Sequence, residues 1–406
     1  MTTRSHSALE RCVGPAGAFL NDAWGRTPFY RRTVGGFADL LTLADVDHMI
    51  STMSLRLPAF RLVKDGKTLP PSGYTKSGRI GSTAITGIAH PAHIFQRFQE
   101  GATIVLQGMH RYWLPLARFC RDLELTLSHP AQVNGYVTPP GSRGLAVHED
   151  SHDVFVLQVH GRKLWEVWDP SADGSTLSRA REGGASSLAI ELEPGDCLYM
   201  PKSTPHAART EDRTSAHLTI GVLTRTWGSL LGDLVKRLER EPSFREALPA
   251  GFHRQPEKFT AEIEERLTDL QRWLDKANPA DLAEGAIRRF LTTRPSVLPG
   301  GLLDLVETDS LGDGSTVRRR AGSVCEVRRD GEMLLVYLGD RELRMPGWLE
   351  PAMVDIAPRD EFMVAEVAGD LDPDSRLVLI KRLVREGLLE LPPQPSSVDA
   401  GEESSA

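Results

Sequence analysis

A chain of 406 residues, 40% of them apolar and 25% charged, has the length and composition for two or three globular domains with a sizeable core. A net charge of −7 supplies no basic footprint, so direct DNA binding is not expected, whereas a basic protein or peptide partner is compatible with it. Four scattered cysteines (Cys12, Cys120, Cys197 and Cys325) with no C-x-x-C pair suggest neither a zinc ribbon nor a disulfide framework and fit a reducing compartment.

The opening MTTRSHSALERCVG lacks the apolar stretch of a signal peptide, and no apolar run has membrane-spanning length, so a cytoplasmic protein with no membrane association is expected. Residues 1 to about 100 mix short helical and strand-like pieces. From Gly101 to about Leu127, apolar residues at Ile104, Leu106, Met109, Trp113, Leu116, Phe119 and Leu123 recur near helical spacing. They predict one helix on a core, broken near Pro115.

Between Gln132 and Leu223 the texture changes to short β-rich runs: VNGYVT, DVFVLQVH, KLWEVWD, LAIELEPGD, CLYMP and AHLTIGVLT. The signals PPGS, DGS, GG and PGD punctuate them, the pattern of an antiparallel sandwich or jelly roll. After Trp227 two amphipathic stripes follow. The first is Leu230, Leu231, Leu234 and Leu238, ended at Pro242; the second, opened by Pro256, is Phe259, Ile263, Leu267, Leu270 and Leu274. They fit an intrachain bundle or a dimer surface. From about Pro299, strands in EVRRDGEMLLVYLGDRELRMP and a helix in SRLVLIKRLVREGLLEL fit a small winged-helix-like module. Acidic residues outnumber basic ones there, which disfavours DNA contact. LPPQPSSVDAGEESSA reads as a disordered tail.

The stretch GLAVHEDSHDVFVLQVHGRKLWEVWDP carries the candidate chemistry. His148 and Asp150 stand two apart, so on a strand both face one metal. LEPGDCLYMPKSTPHAA then offers His206 just after a strand and a Pro-flanked turn. Two imidazoles and a carboxylate make a facial triad that leaves iron(II) coordination positions open, whereas closed zinc sites take a fourth protein ligand. His152 shares the strand face and competes with Asp150 for the third position. Asp150 is preferred because the mixed donor set suits iron. Glu149 faces away, and His217 reads as a core histidine.

These residues resemble those of a known family, the JmjC/cupin-type ribosomal oxygenases, which are protein hydroxylases. The resemblance extends over FLNDAWGRTPFYRR, NGYVTPPGSRGLAVHEDSHDVFVLQVHGRKLWEVW, LEPGDCLYMPKSTPHAA and SAHLTIGV, and the layout after them follows the family too. It implies a mainly β catalytic core, a double-stranded β-helix or jelly roll with flanking helices, over residues 1–227. A helical dimerisation domain over 228–298, a winged-helix-like α+β domain over 299–393 and a tail over 394–406 follow from the same layout.

For the site, the resemblance implies iron(II), 2-oxoglutarate and O2 as cofactors. His148, Asp150 and His206 would hold the metal. Lys163 would pair with the distal carboxylate of 2-oxoglutarate, and Asn134 and Tyr136 would line its pocket; Thr138 and Thr219 are open as further pocket groups. The implied activity is hydroxylation of an arginine or histidine side chain in a ribosomal or other protein or peptide, by a homodimer. Alternatives are N-methyl demethylation, a catalytically inactive cupin-like binding scaffold, and a zinc- or manganese-dependent isomerase.

Overall fold

The structure, a computed structural model, describes residues 7–33, 35–171 and 175–392. The tail expected over 394–406 lies outside them. The chain separates into two compact units, residues 1–224 and 225–406.

The first unit opens with α1 (Ala8–Val13), whose start is fixed by reciprocal capping between Ser7 and Glu10, then α2 (Ala16–Asp22) and β1 (Phe29–Arg32). There follow α3 (Leu43–Thr52), β2 (Phe60–Lys64), β3 (Lys67–Thr68), the hairpin β4 (Thr75–Ile80) and β5 (Thr83–Ala89), and α4 (Pro91–Gln99). Next come β6 (Thr103–Leu106), α5 (Leu114–Leu127), β7 (Ala131–Thr138), β8 (Asp153–His160), β9 (Lys163–Val167) and α6 (Ser175–Arg181). β10 (Leu188–Leu192), β11 (Asp196–Met200), β12 (His206–Arg209) and β13 (Ser215–Val222) complete it.

The single helix expected over Gly101–Leu127 is instead a strand, a turn and a helix. Gly108 in the left-handed region (φ +62°) turns the chain between them, and Pro115 sits in the first turn of α5, where its missing N–H costs nothing. Ile104 and Leu106 therefore sit on β6, and only the residues from Leu116 onward follow a helical period.

An eight-stranded antiparallel sheet runs in the order β1-β11-β8-β13-β7-β6-β2-β3, and a three-stranded sheet runs β10-β9-β12. Alternation on β8 explains how they stack. Phe155 and Leu157 join the large core under α1, α3 and α5, whereas Val154 and Val156 join Trp165, Val167, Leu192, Leu198 and Met200 between the two sheets. Both faces of β8 are buried, so its sequence is almost continuously apolar. The result is a jelly roll with helices on one side and a mouth between the sheets.

The second unit begins with α7 (Trp227–Leu238), α8 (Pro242–Arg245), α9 (Pro256–Asp275), α10 (Pro279–Leu291) and α11 (Gly301–Glu307). Pro256 occupies the first turn of α9, as its position predicts. The remainder is a helix-and-sheet module: β14 (Thr316–Arg319), β15 (Glu326–Asp330), β16 (Met333–Tyr337), β17 (Glu342–Pro346), α12 (Glu350–Ile356), β18 (Glu361–Met363), α13 (Pro373–Arg385) and β19 (Leu389–Glu390). It encloses its own core, built on Val317, Leu334, Met353, Phe362, Ile380 and Leu383. Among the described residues no helix is long and apolar enough to cross a membrane.

Candidate metal centre

Period-two alternation aims side chains from seven strands into the space between the sheets. β7 contributes Asn134 and Tyr136, β13 contributes His217 and Thr219, and β9 contributes Lys163 and Trp165. The register places His217 opposite Tyr136 and Thr219 opposite Asn134. Together with His206 on β12 and the loop before β8, these side chains line a cavity of about 480 Å³.

His148, Asp150 and His206 meet at this cavity, with one ligand atom from each lying within 4.8 Å of the others. His148 and Asp150 do not stand on a regular strand, as their spacing had suggested. The segment is irregular, pinned by a two-way bridge in which the His148 N–H donates to the His206 carbonyl at 3.1 Å and the His206 N–H returns the bond at 2.8 Å. The Ser203 N–H donates to the Asp150 carbonyl at 2.8 Å and holds the other end. Ser203 adopts φ +60°, a left-handed turn that brings the PKST loop back toward Asp150. Asp153, fully buried, secures the same loop by accepting from the Lys202 N–H and the Tyr199 hydroxyl.

The two imidazoles are oriented by the backbone. Nδ1 of His148 lies 2.9 Å from the Ala146 carbonyl, and Nδ1 of His206 lies 2.9 Å from the Thr204 carbonyl. A carbonyl only accepts, so in both rings Nδ1 carries a proton and Nε2 is the nitrogen left to bind a metal. Burial, with His148 beside it, pushes the His206 pKa down to about 4, so this ring is neutral near pH 7. Its Nε2 lies 3.7 Å from Asp150 Oδ2.

His152 is not part of the trio. It lines the cavity farther along, packed so closely on β13 that a Cβ on Gly221 would fall 2.2 Å from its Nε2. Glu149 is exposed and does not line the cavity. His217 is buried, as expected of a core histidine, yet it also lines the cavity. It stacks on Tyr136 with ring centroids 4.9 Å apart, and its Nδ1 has no hydrogen-bond partner among the described residues. Burial, then Lys163 and His206 nearby, hold it neutral. Trp165 Nε1 is likewise buried without a partner.

Lys163 is buried, and its Nζ donates to Thr138 Oγ1 at 3.0 Å. Burial alone pulls its pKa down to about 7, because among the described residues no carboxylate reaches it. Asn134 Oδ1 accepts from the Gly108 N–H at 3.0 Å, which fixes its side chain at the cavity wall. The cations Arg61 and Arg181 also line the cavity and were not picked out from the sequence. Arg61 sits on β2 in phase with no apolar pattern that marks it, and Arg181 ends α6.

Residues 110–230 match the JmjC domain family. A bifunctional lysine-specific demethylase and histidyl-hydroxylase NO66 of Drosophila persimilis is 30% identical over 242 residues, 55% of this chain and 32% of the relative. Its counterpart of the same description in Dictyostelium discoideum is 29% identical over 350 residues, 75% of this chain and 67% of the relative. Ribosomal oxygenase 1 of Homo sapiens is 30% identical over 230 residues, 53% of this chain and 34% of the relative. The chain thus spans only about a third of the length of the first and third of these relatives. Among solved structures, the Escherichia coli ribosomal oxygenase YcfD in complex with cobalt and 2-oxoglutarate superimposes with a TM-score of 0.56 at 18% identity, covering 93% of this chain and 98% of that one. That likeness carries the fold.

Proposed function

We propose that this chain, which carries a JmjC domain and resembles the ribosomal oxygenases, is an iron(II)- and 2-oxoglutarate-dependent oxygenase that hydroxylates a side chain of a ribosomal or other protein. The names of these relatives and the cobalt and 2-oxoglutarate bound by YcfD point the same way.

The observation that carries the reading is a donor trio and a buried, carboxylate-free lysine lining one cavity. The donor chemistry fits iron(II). His148 and His206 each leave Nε2 to bind a metal, Asp150 supplies a carboxylate, and the trio holds no cysteine to favour zinc. The remainder of the cavity fits 2-oxoglutarate. A buried cation without a counter-ion is costly, and a dicarboxylate reaching Lys163 with its distal end removes that cost. Nδ1 of His217 and Nε1 of Trp165, buried without a partner among the described residues, belong to two further residues of the same lining.

Bound iron with 2-oxoglutarate and O2 supplies an oxidising centre that hydroxylates an unactivated C–H bond while 2-oxoglutarate is lost as succinate and carbon dioxide. The chain's own residues orient and shelter that chemistry. The Ala146 and Thr204 carbonyls hold both ligand rings in one tautomer. Lys163 and Thr138 fix the distal carboxylate, Asn134 and Tyr136 wall the cosubstrate, and Val154, Val156 and Trp165 exclude water from one side.

Within this reading a neutral target, histidine, fits better than arginine or a methylated lysine. Among the described residues Asp150 is the one acidic group that lines the cavity, whereas Arg61, Arg181 and Lys163 are cationic. A guanidinium or methylammonium entering there meets like charge. The protein would act as a homodimer through the exposed apolar stripes Trp227, Leu231 and Val235 on α7 and Ile263, Leu267 and Leu274 on α9. Mass spectrometry of ribosomal proteins from a strain lacking the gene tests the substrate class. One protein that loses a single oxygen atom from a histidine supports it; unchanged masses across the ribosome overturn it.

A further inference from the structure

The chain is acidic on average, but the cleft between α7 and α10 is not. Arg225, Lys236, Arg237, Arg240 and Arg289 line a cavity of about 260 Å³ there, with Asp233 its one carboxylate and leucines of both helices beneath. Asp233 accepts from Arg225, accepts from Arg289 at 2.7 Å and lies 3.7 Å from Lys236. These cations, Arg225 first, hold its carboxyl below the usual carboxylate range. Arg237 and Arg240 form no ion pair among the described residues, so five cations face one carboxylate.

Helix geometry gathers this charge deliberately on one face. Asp233, Arg237 and Arg240 follow at the i, i+4 and i+7 positions of one side of α7 and its end, and Gly285 and Arg289 are one turn apart on α10. Gly285 faces the same cleft, where a Cβ would lie 3.0 Å from Arg237 Nη2. Its missing side chain leaves the guanidinium room within the cleft. The exposed stripe of Trp227, Leu231 and Val235 lies on a different side of α7, so a partner covering that stripe need not cover the cleft. One carboxylate does not neutralise five cations, so the lining keeps a net positive charge.

We propose that this cleft binds the phosphate backbone of an RNA strand. Four of its five cations are arginines, whose planar forks match pairs of phosphate oxygens. An acidic peptide fits less well, because its backbone N–H groups need acceptors and Asp233 is the one carboxylate in the lining. No aromatic side chain lines the cleft to stack a base, so the contacts are to phosphate and carry no sequence preference. The choice of RNA rests on the ribosomal-protein reading above, since such a substrate is met beside its RNA.

The test is fluorescence polarisation of a short labelled single-stranded RNA on the full chain, between about 50 and 200 mM salt. Wild type is compared with the double variant Arg237→Ala, Arg240→Ala, with polyglutamate as competitor and thermal melting as the fold control. Wild-type binding should weaken with salt. The double variant should bind at least about tenfold more weakly, with a log–log salt slope smaller by about 1.4, the share of two phosphate contacts on a single strand. Its melting temperature and its succinate production should match wild type. No RNA binding, equal affinity and slope in the variant, or displacement by polyglutamate as effective as by RNA would overturn the assignment. Because binding is read without turnover, loss of this proposal and loss of the oxygenase reading show up in different assays.

Discussion

Lys163 reaches Thr138 across the inside of the jelly roll: its Nζ donates to Oγ1 at 3.0 Å, and among the described residues no carboxylate reaches it. The ammonium is buried with a neutral partner, which costs free energy that an incoming carboxylate restores. The free protein therefore carries a built-in demand for an anion at one place in the cavity.

That demand sets a pH dependence. Lys163 has a folded pKa of about 7 against 10.5 in the unfolded chain, so it is the depressed case for a lysine. Its penalty on folding is complete below about pH 7 and vanishes as pH rises toward 10.5, so it makes the free protein gain stability across that window. A bound carboxylate raises the pKa again. 2-Oxoglutarate should accordingly bind with proton uptake above pH 7, and its affinity should fall as pH climbs. Calorimetry with manganese(II), in buffers of different ionisation enthalpy, reads both. Lys163→Met should weaken binding by about 10- to 150-fold, the worth of one charge-assisted hydrogen bond, and abolish the proton uptake.

Metal affinity should separate Asp150 from its neighbour His152. Asp150→Ala removes one of three clustered donors, whereas His152 packs against Gly221 outside the trio. Manganese(II) binding followed by electron paramagnetic resonance should weaken at least about tenfold in Asp150→Ala and stay unchanged in His152→Ala. The reverse order would make His152 the third ligand.

The turn from β8 to β9, which delivers Lys163, depends on Gly161. Its φ is +61°, and a Cβ there would lie 1.9 Å from the Thr214 carbonyl oxygen, a backbone atom with no easy retreat. Gly161→Ala should cost about 2 kcal/mol or more in urea unfolding. A smaller loss would mean that the hairpin moves freely against the start of β13.

The apolar stripes of α7 and α9 should hold two copies together. Leu231→Asp with Val235→Asp places charge on side chains that are 55% and 56% exposed in the single chain. Light scattering should report twice the chain mass for wild type and a single chain mass for the variant. A wild-type monomer would remove the dimer from the account.

The strands were legible where both faces are buried or where Gly and Pro punctuate them: DVFVLQVH is β8 to the residue, and VNGYVT and AHLTIGVLT fall within or across β7 and β13. β12 was not, because HAAR is four residues long with no apolar alternation. Ile104, Leu106 and Met109 mimicked a helix because a strand followed by a left-handed turn at Gly108 happens to reproduce helical spacing. At the site, the H-x-D spacing met the geometry through a backbone bridge to His206 rather than through a strand. Lys163 carried one signal of its own: it is in phase with Trp165 and Val167, the buried side of β9, while Leu164 and Glu166 are partly exposed. A lysine on the apolar phase of a strand is out of place unless something anionic meets it.

The most direct test of the central claim is succinate release from 2-oxoglutarate by protein loaded with iron(II) in the presence of ascorbate and air, comparing wild type with His148→Ala and Lys163→Ala. Wild type should turn over slowly without a protein substrate, with turnover lost in His148→Ala and weakened in Lys163→Ala. An absence of turnover in wild type, with no 2-oxoglutarate bound in the presence of manganese(II), would contradict it and leave a cupin-like binding protein in its place.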